Sequence, residues 1–169
     1  MKTYIALLRA INVGGTGKLT MAELRTLCDA CGFVDVRTYI ASGNVVLRSA
    51  STAAQVKASL ESRLAEHAGK PVSVLVRNKA EMADVLADNP FPMHAPNRTV
   101  AIFLDDPPPL DALTTVSGRQ DEEIALGKRE IYVHYGDGMA DSRLKIPAGL
   151  SGTARNINTV MKLVAMAAG

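Results

Sequence analysis

The stretch VDVRTYIASGNVVLRS, residues 34–49, decides the fold. Residues 34–41 and 44–49 are both rich in Val, Ile, Thr and Tyr, and Ser42-Gly43 separates them. Two strand-forming runs joined by a short glycine turn read as a β-hairpin. A hairpin in this place constrains what lies on either side of it.

Upstream, TYIALL (3–8) is a short apolar run with strand character. A glycine loop, INVGGTGKL (11–19), follows it. Thr20 and Glu23 stand three residues apart, the spacing of a capping box, so a helix is expected from about Thr20. Leu24, Leu27, Cys28 and Cys31 give that helix one apolar stripe, and Gly32 ends it. Downstream, Thr52 and Gln55 form a second capping-box pair. Val56, Leu60 and Leu64 lie on one face of the helix that follows, which stops at Gly69. VSVLVR (72–77) is a largely apolar run, as a strand buried on both faces would be. The order is therefore βαββαβ. It predicts an α+β chain whose first part, residues 1–78, is a ferredoxin-like split βαβ with residues 3–8 and 44–49 as central antiparallel neighbours.

Residues 79–169 read as a second, smaller α+β subdomain of order βαββα, a degenerate echo of the first. Asn78 and Glu81 open a helix that Asn89-Pro90 closes. The proline-rich PFPMHAPN (90–97) joins it to a strand at 98–104. A short helix is expected after Asp105-Asp106, and residues 122–135 read as a hairpin turning near Gly127-Lys128. The last helix is expected to start with Thr153 as its N-cap and to pack back. Its predicted apolar face is Ile157, Val160, Met161, Val164, Ala165 and Ala168, with Arg155 in its first turn.

Composition bounds the function. Apolar residues are 47% of the 169, but aromatics are 4% and tryptophan is absent, so stacking platforms for single-stranded nucleic acid are scarce. No apolar run approaches the ~20 residues of a membrane span. Arg9 interrupts any signal-peptide apolar region. The chain reads as cytoplasmic, with no membrane partner. Cys28 and Cys31 make a C-x-x-C without the two further ligands that structural zinc needs, and they continue a helix face, so they read as reduced core cysteines. His67, His94 and His134 stand apart at no metal-ligand spacing. No metal and no cofactor are expected.

The net charge of +2 conceals a segregation. Residues 1–78 carry ten Lys/Arg against five Asp/Glu, residues 79–142 carry five against twelve, and residues 143–169 carry four and no acid. Two basic segments flank an acidic middle. The glycine loop lies in the first. It is not a Walker A motif, because Asn12 stands where the first glycine belongs and Leu19 where Ser or Thr belongs. It is not a Rossmann fingerprint, because Thr20 replaces the third glycine. It remains a glycine-rich entry to a helix N-terminus with a lysine, which suits an anion. The second basic segment holds GTARNINTVMKL (152–163).

LLRAINVGG (7–15), TYIASGNVV (38–46) and GTARNINTVMKL together resemble the bacterial domain-of-unknown-function family numbered 1697. The resemblance runs in order along the whole chain. Ala10, Ala41 and Ile157 depart from the Gly, Gln and Trp usual there, and Ile157 removes an aromatic that could stack on a ligand. The resemblance implies a ferredoxin-like first part and a smaller α+β second part, and it implies no activity.

The expected site gathers Arg9, Asn12, Gly14, Gly15, Lys18, Ser42, Asn44, Arg155, Asn156 and Lys162 into one composite cationic pocket. Guanidinium and ammonium groups suit phosphate, and asparagine amides can read a polar edge. The expected partner is a nucleotide or phosphorylated metabolite, with nucleic acid the weaker option at a pI of 8.6. Two other readings stand beside this one. One is an enzyme that stabilises charge on a phosphoryl or carboxyl substrate, and the other is a protein-interaction module without a small ligand.

Overall fold

The computed structural model describes residues 1–9, 19–39 and 43–169. Asn12, Gly14, Gly15, Lys18 and Ser42 of the expected site lie outside the described residues. The elements run β1 (Lys2–Leu8), α1 (Met21–Ala30), β2 (Val34–Tyr39), β3 (Asn44–Ser49), α2 (Ala53–Ala68), β4 (Val74–Asn78), α3 (Lys79–Ala87), β5 (Thr99–Phe103), β6 (Glu123–Leu126), β7 (Glu130–His134), β8 (Thr153–Asn156) and α4 (Ile157–Ala168). Short 3-10 turns punctuate the second half, at Ala112–Thr115, Gly136–Asp141 and Pro147–Gly149 among others. The chain is mixed α and β, with two four-stranded antiparallel sheets. It divides into two compact units, residues 1–82 with 163–169, and residues 83–162.

In the first unit the strand order is β2-β3-β1-β4, all antiparallel. Residues 3–8 and 44–49 are central neighbours, with Ile5 opposite Val46. Period-2 alternation sends Tyr4, Ala6, Leu8, Val45, Leu47, Val74 and Val76 to one face. There they form one buried core with Leu24 and Cys28 of α1 and Val56, Leu60 and Leu64 of α2. Both helices therefore lie on that face.

The helix starts follow their sequence signals, with one difference. Thr52 and Gln55 make both arms of a capping box, and Asn78 and Glu81 exchange the same two bonds at α3. At α1 the Glu23 N–H donates to Thr20 Oγ1, but the Glu23 carboxylate lies 3.0 Å from His67 Nε2 on α2. The reciprocal arm is replaced by a contact between the two helices. Gly69 closes α2 in the left-handed region, at φ +70°. Both cysteines are free: Cys28 is buried and Cys31 half-buried.

The second sheet corrects the βαββα expectation. Its order is β6-β7-β5-β8, the pattern of the first sheet with each strand number raised by four. The fourth strand is β8, which occupies the residues expected to open the last helix. Thr153 and Arg155 are buried while Ala154 is exposed, an alternation of period 2. Backbone pairing with β5, Phe103 to Thr153 and Ala101 to Arg155, claims these residues before α4 begins. A Cβ on Gly152 would stand 2.5 Å from Phe103 O, so only glycine admits this approach. The helix then starts at Ile157, with Thr159 N–H donating to Asn156 Oδ1. Its buried positions are Ile157, Val160, Leu163 and Ala167, whereas Met161 is exposed.

Leu60 is fully buried in the first core. Leu60→Ala is expected to lower unfolding stability by about 2–5 kcal/mol, read as a shift in urea midpoint at unchanged slope. The thiols give a second check. Burial, then the neighbouring Cys31 and Asp29, push the Cys28 thiol up to about 12, and burial raises that of Cys31 as well. A thiol reagent on native protein should modify Cys31 slowly and spare Cys28 until denaturant is added.

Candidate functional site

The second sheet sorts its side chains by chemistry. Directly paired residues of an antiparallel sheet share a face. One face carries Ile102, Leu104, Ile124, Leu126, Ile131 and Val133, which pack together with Ile146. The opposite face carries Glu123 paired with His134, His134 with Thr99, and Tyr132 with Ala101, which also pairs with Arg155. The apolar face supplies a core. The other face gathers the ionisable groups of β6, β7 and β8. It too is largely buried: Thr99 and Ala101 are inaccessible and Tyr132 nearly so. Tyr132 donates its hydroxyl to Val85 O of α3 at 2.8 Å, and burial raises its phenol pKa.

Arg155 sits on this polar face with 7% of its surface exposed. Its Nη1 donates to Thr153 Oγ1 at 3.0 Å and to Ala154 O at 2.9 Å. Burial pushes its pKa down to about 10, which leaves it charged at neutral pH. The expected conflict with a helix dipole does not arise, because Arg155 precedes α4 on a strand.

Other expected site residues have structural work. Asn44 is fully buried and its Nδ2 donates to Tyr39 O at 3.0 Å, tying the two ends of the β2–β3 connection. Asn156 caps α4. The Arg9 N–H donates to Ser73 O at the end of β1. Lys162 is exposed on α4.

A different cluster went unrecognised in the sequence. His94, Glu123 and His134 present one nitrogen or oxygen each, all within 4.8 Å of one another. His94 comes from the loop after α3, Glu123 opens β6 and His134 closes β7. His94 Nε2 lies 3.1 Å from Glu123 Oε2. The two imidazoles stack with centroids 4.0 Å apart and planes 14° apart, and Phe91 tilts against both. His134 Nδ1 is 3.0 Å from Thr99 Oγ1. The reading of these histidines as isolated is corrected: strand register and a folded proline loop, not sequence spacing, bring them together. Arg98 pairs with Asp137 nearby. Desolvation, then the neighbouring His94, lowers the pKa of His134, with Arg98 acting in the same sense and Glu123 and Asp137 opposing.

The sequence profile of the family described as "Protein of unknown function (DUF1697)" matches residues 1–132. The chain belongs to this family. The DUF1697 match ends on β7, so β8 and α4 lie beyond it. A solved structure of a conserved bacterial protein from Streptococcus pneumoniae is similar over 98% of both chains, at 26% identity and a TM-score of 0.80. Comparison with curated proteins found no match. Among the described residues no helix is long and apolar enough to cross a membrane.

The lowered His134 pKa makes stability depend on pH. The unfolded chain holds a proton on this imidazole below about pH 6.5, while the folded chain resists taking one. Folded protein therefore binds fewer protons there, and stability falls as pH drops through that range. In chelator-containing buffer, His134→Gln should flatten this acid limb in urea midpoints measured from neutral to mildly acidic pH. An unchanged slope counts against the assignment.

Proposed function

We infer that the chain binds a phosphate-bearing small molecule, a nucleotide or a phosphorylated metabolite, with Arg155 as the anchoring cation. The observation that carries this reading is a guanidinium 7% exposed, charged at neutral pH, and fixed by two oxygens on the polar face of a sheet. Taking a cation out of water costs several kcal/mol unless charge or hydrogen bonds repay it. A guanidinium held in one orientation has already lost the freedom that phosphate binding would otherwise remove, and its planar fork matches phosphate oxygens. The segment 143–169 adds Lys162 and contains no acid. Lys18 of the glycine loop and Arg9 belong to the same sequence expectation. The first unit is read as ferredoxin-like on its βαββαβ order and its strand order, and the protein as a bacterial cytoplasmic one.

Calorimetric titration of the full chain with ATP, ADP and inorganic pyrophosphate tests the reading. Saturable binding of at least one is expected. Arg155→Met keeps an unbranched stem and removes the charged guanidinium. It should weaken that binding by about 1.5–3 kcal/mol, the range for a hydrogen bond to a charged group, while far-UV circular dichroism stays unchanged. Lys18→Ala asks whether the glycine loop takes part. No binding by the wild type, or undiminished binding by a folded Arg155→Met protein, overturns the reading.

A further inference from the structure

The geometry points to a divalent transition-metal site of the zinc class formed by His94, Glu123 and His134. Three features carry it. First, the donor set is two imidazoles and a carboxylate, which suits zinc, cobalt or nickel ions rather than magnesium or calcium. Second, the donor atoms already lie within 4.8 Å of one another, and His94 Nε2 and Glu123 Oε2 are 3.1 Å apart. Donors about 2.0–2.2 Å from a tetrahedral zinc stand roughly 3.4 Å from each other, a spacing between the 3.1 Å of the His94–Glu123 pair and the 4.8 Å that bounds the cluster. Third, the proton on His134 is fixed in the sense a ligand needs. Thr99 is fully buried, and its single hydroxyl proton goes to Ala95 O at 3.1 Å. Its oxygen can then only accept from His134 Nδ1. That tautomer leaves the Nε2 lone pair free. A ligating histidine commonly donates its second ring N–H to an oxygen in this way.

The stacked rings define the movement that binding requires. Two parallel imidazoles cannot both aim a nitrogen at one ion along tetrahedral directions, so His94 turns out of the stack. Its side chain is 43% exposed and it lies outside any helix or strand, whereas His134 is held by β7 and Thr99. Three protein donors leave a fourth position for water or an anion, as in sites that act on a bound ligand.

The test uses the full chain, stripped with chelator and dialysed, then titrated with Co(II) and with Zn(II). One ion per chain is expected, with the visible absorption of tetrahedral Co(II) saturating at one equivalent and Zn(II) displacing it. His94→Gln and His134→Gln should abolish that spectrum. Thr99→Val, which removes the acceptor for Nδ1 together with the hydroxyl's bond to Ala95 O, should weaken affinity about 10- to 100-fold. His67→Gln, at the separate His67–Glu23 pair, should leave the stoichiometry at one. Thermal melts in chelator check that the variants fold. If His134→Gln does not fold, His94→Gln on its exposed loop decides. No saturation at one equivalent, or wild-type affinity in folded His94→Gln, overturns the site.

Discussion

Strand β1 is buried on both faces, and the rest of the first unit follows from that. Tyr4 to Leu8 are all essentially inaccessible. A strand can be so placed only if hydrogen-bonded neighbours flank it and apolar layers cover it above and below. β3 and β4 satisfy its edges. Helices α1 and α2 cover the face of Tyr4, Ala6 and Leu8. The opposite face carries Ile5 and Leu7, with Val46 and Leu75 beside them, equally buried. Residues 163–169 join this unit, and Arg37 Nη1 donates to Met166 O at 2.6 Å. Sequence-remote chain is thus recruited to a unit whose strands are otherwise contiguous in sequence.

The second sheet repeats the strand order under a different burial rule. Its apolar face needs no polar partner. Its other face mixes Tyr132, Phe103 and Ala101 with Arg155, Thr99, His134 and Glu123, so each polar group there must be matched individually. Tyr132 is matched by Val85 O, Thr99 by Ala95 O, and Arg155 by Thr153 and Ala154. Such matching restricts the sequence. Gly152 is required by the approach of Phe103 O, and Asn156 is occupied in starting α4. Several residues of GTARNINTVMKL are therefore explained by the junction between strand and helix without any ligand.

What could be read from the sequence divides along physical lines. Capping pairs such as Thr52 and Gln55, the hairpin glycine Gly43, and apolar runs such as residues 72–77 act within a few residues, so the sequence displays them directly. β8 does not display itself, because its buried residues are Thr153 and Arg155, which hydropathy scores as surface. The same pair of residues suits a helix entry just as well. Only the unpaired edge of β5 distinguishes the two, and that edge is a long-range fact. The His94, Glu123 and His134 cluster is hidden for a related reason. Spacings of 29 and 11 residues carry no metal signature. They become short distances only when Glu123 pairs with His134 across a hairpin and the loop carrying His94 folds back. The expected composite pocket rested on the opposite logic, in which shared charge sign implied shared location. Several of its members lie outside the described residues, and Asn44 and Asn156 have structural roles of their own.

Strand β5 connects the two candidate chemistries. Thr99 and Ala101 lie two residues apart on it and point to the same face. Thr99 pairs with His134 and Ala101 pairs with Arg155. The imidazole on β7 and the guanidinium on β8 therefore stand on one face on either side of β5, two residues apart in register. The two groups respond differently to burial. Arginine keeps its charge even when its pKa is drawn down to about 10, whereas the same desolvation moves His134 toward its neutral form. One face of one sheet thus holds a permanent cation on β8 and, across β5, an imidazole whose neutral form is favoured. Ala101 itself is inaccessible and pairs with Tyr132 on one side and Arg155 on the other, so a larger side chain there would overpack the interior and disturb the strand pairs that place these groups.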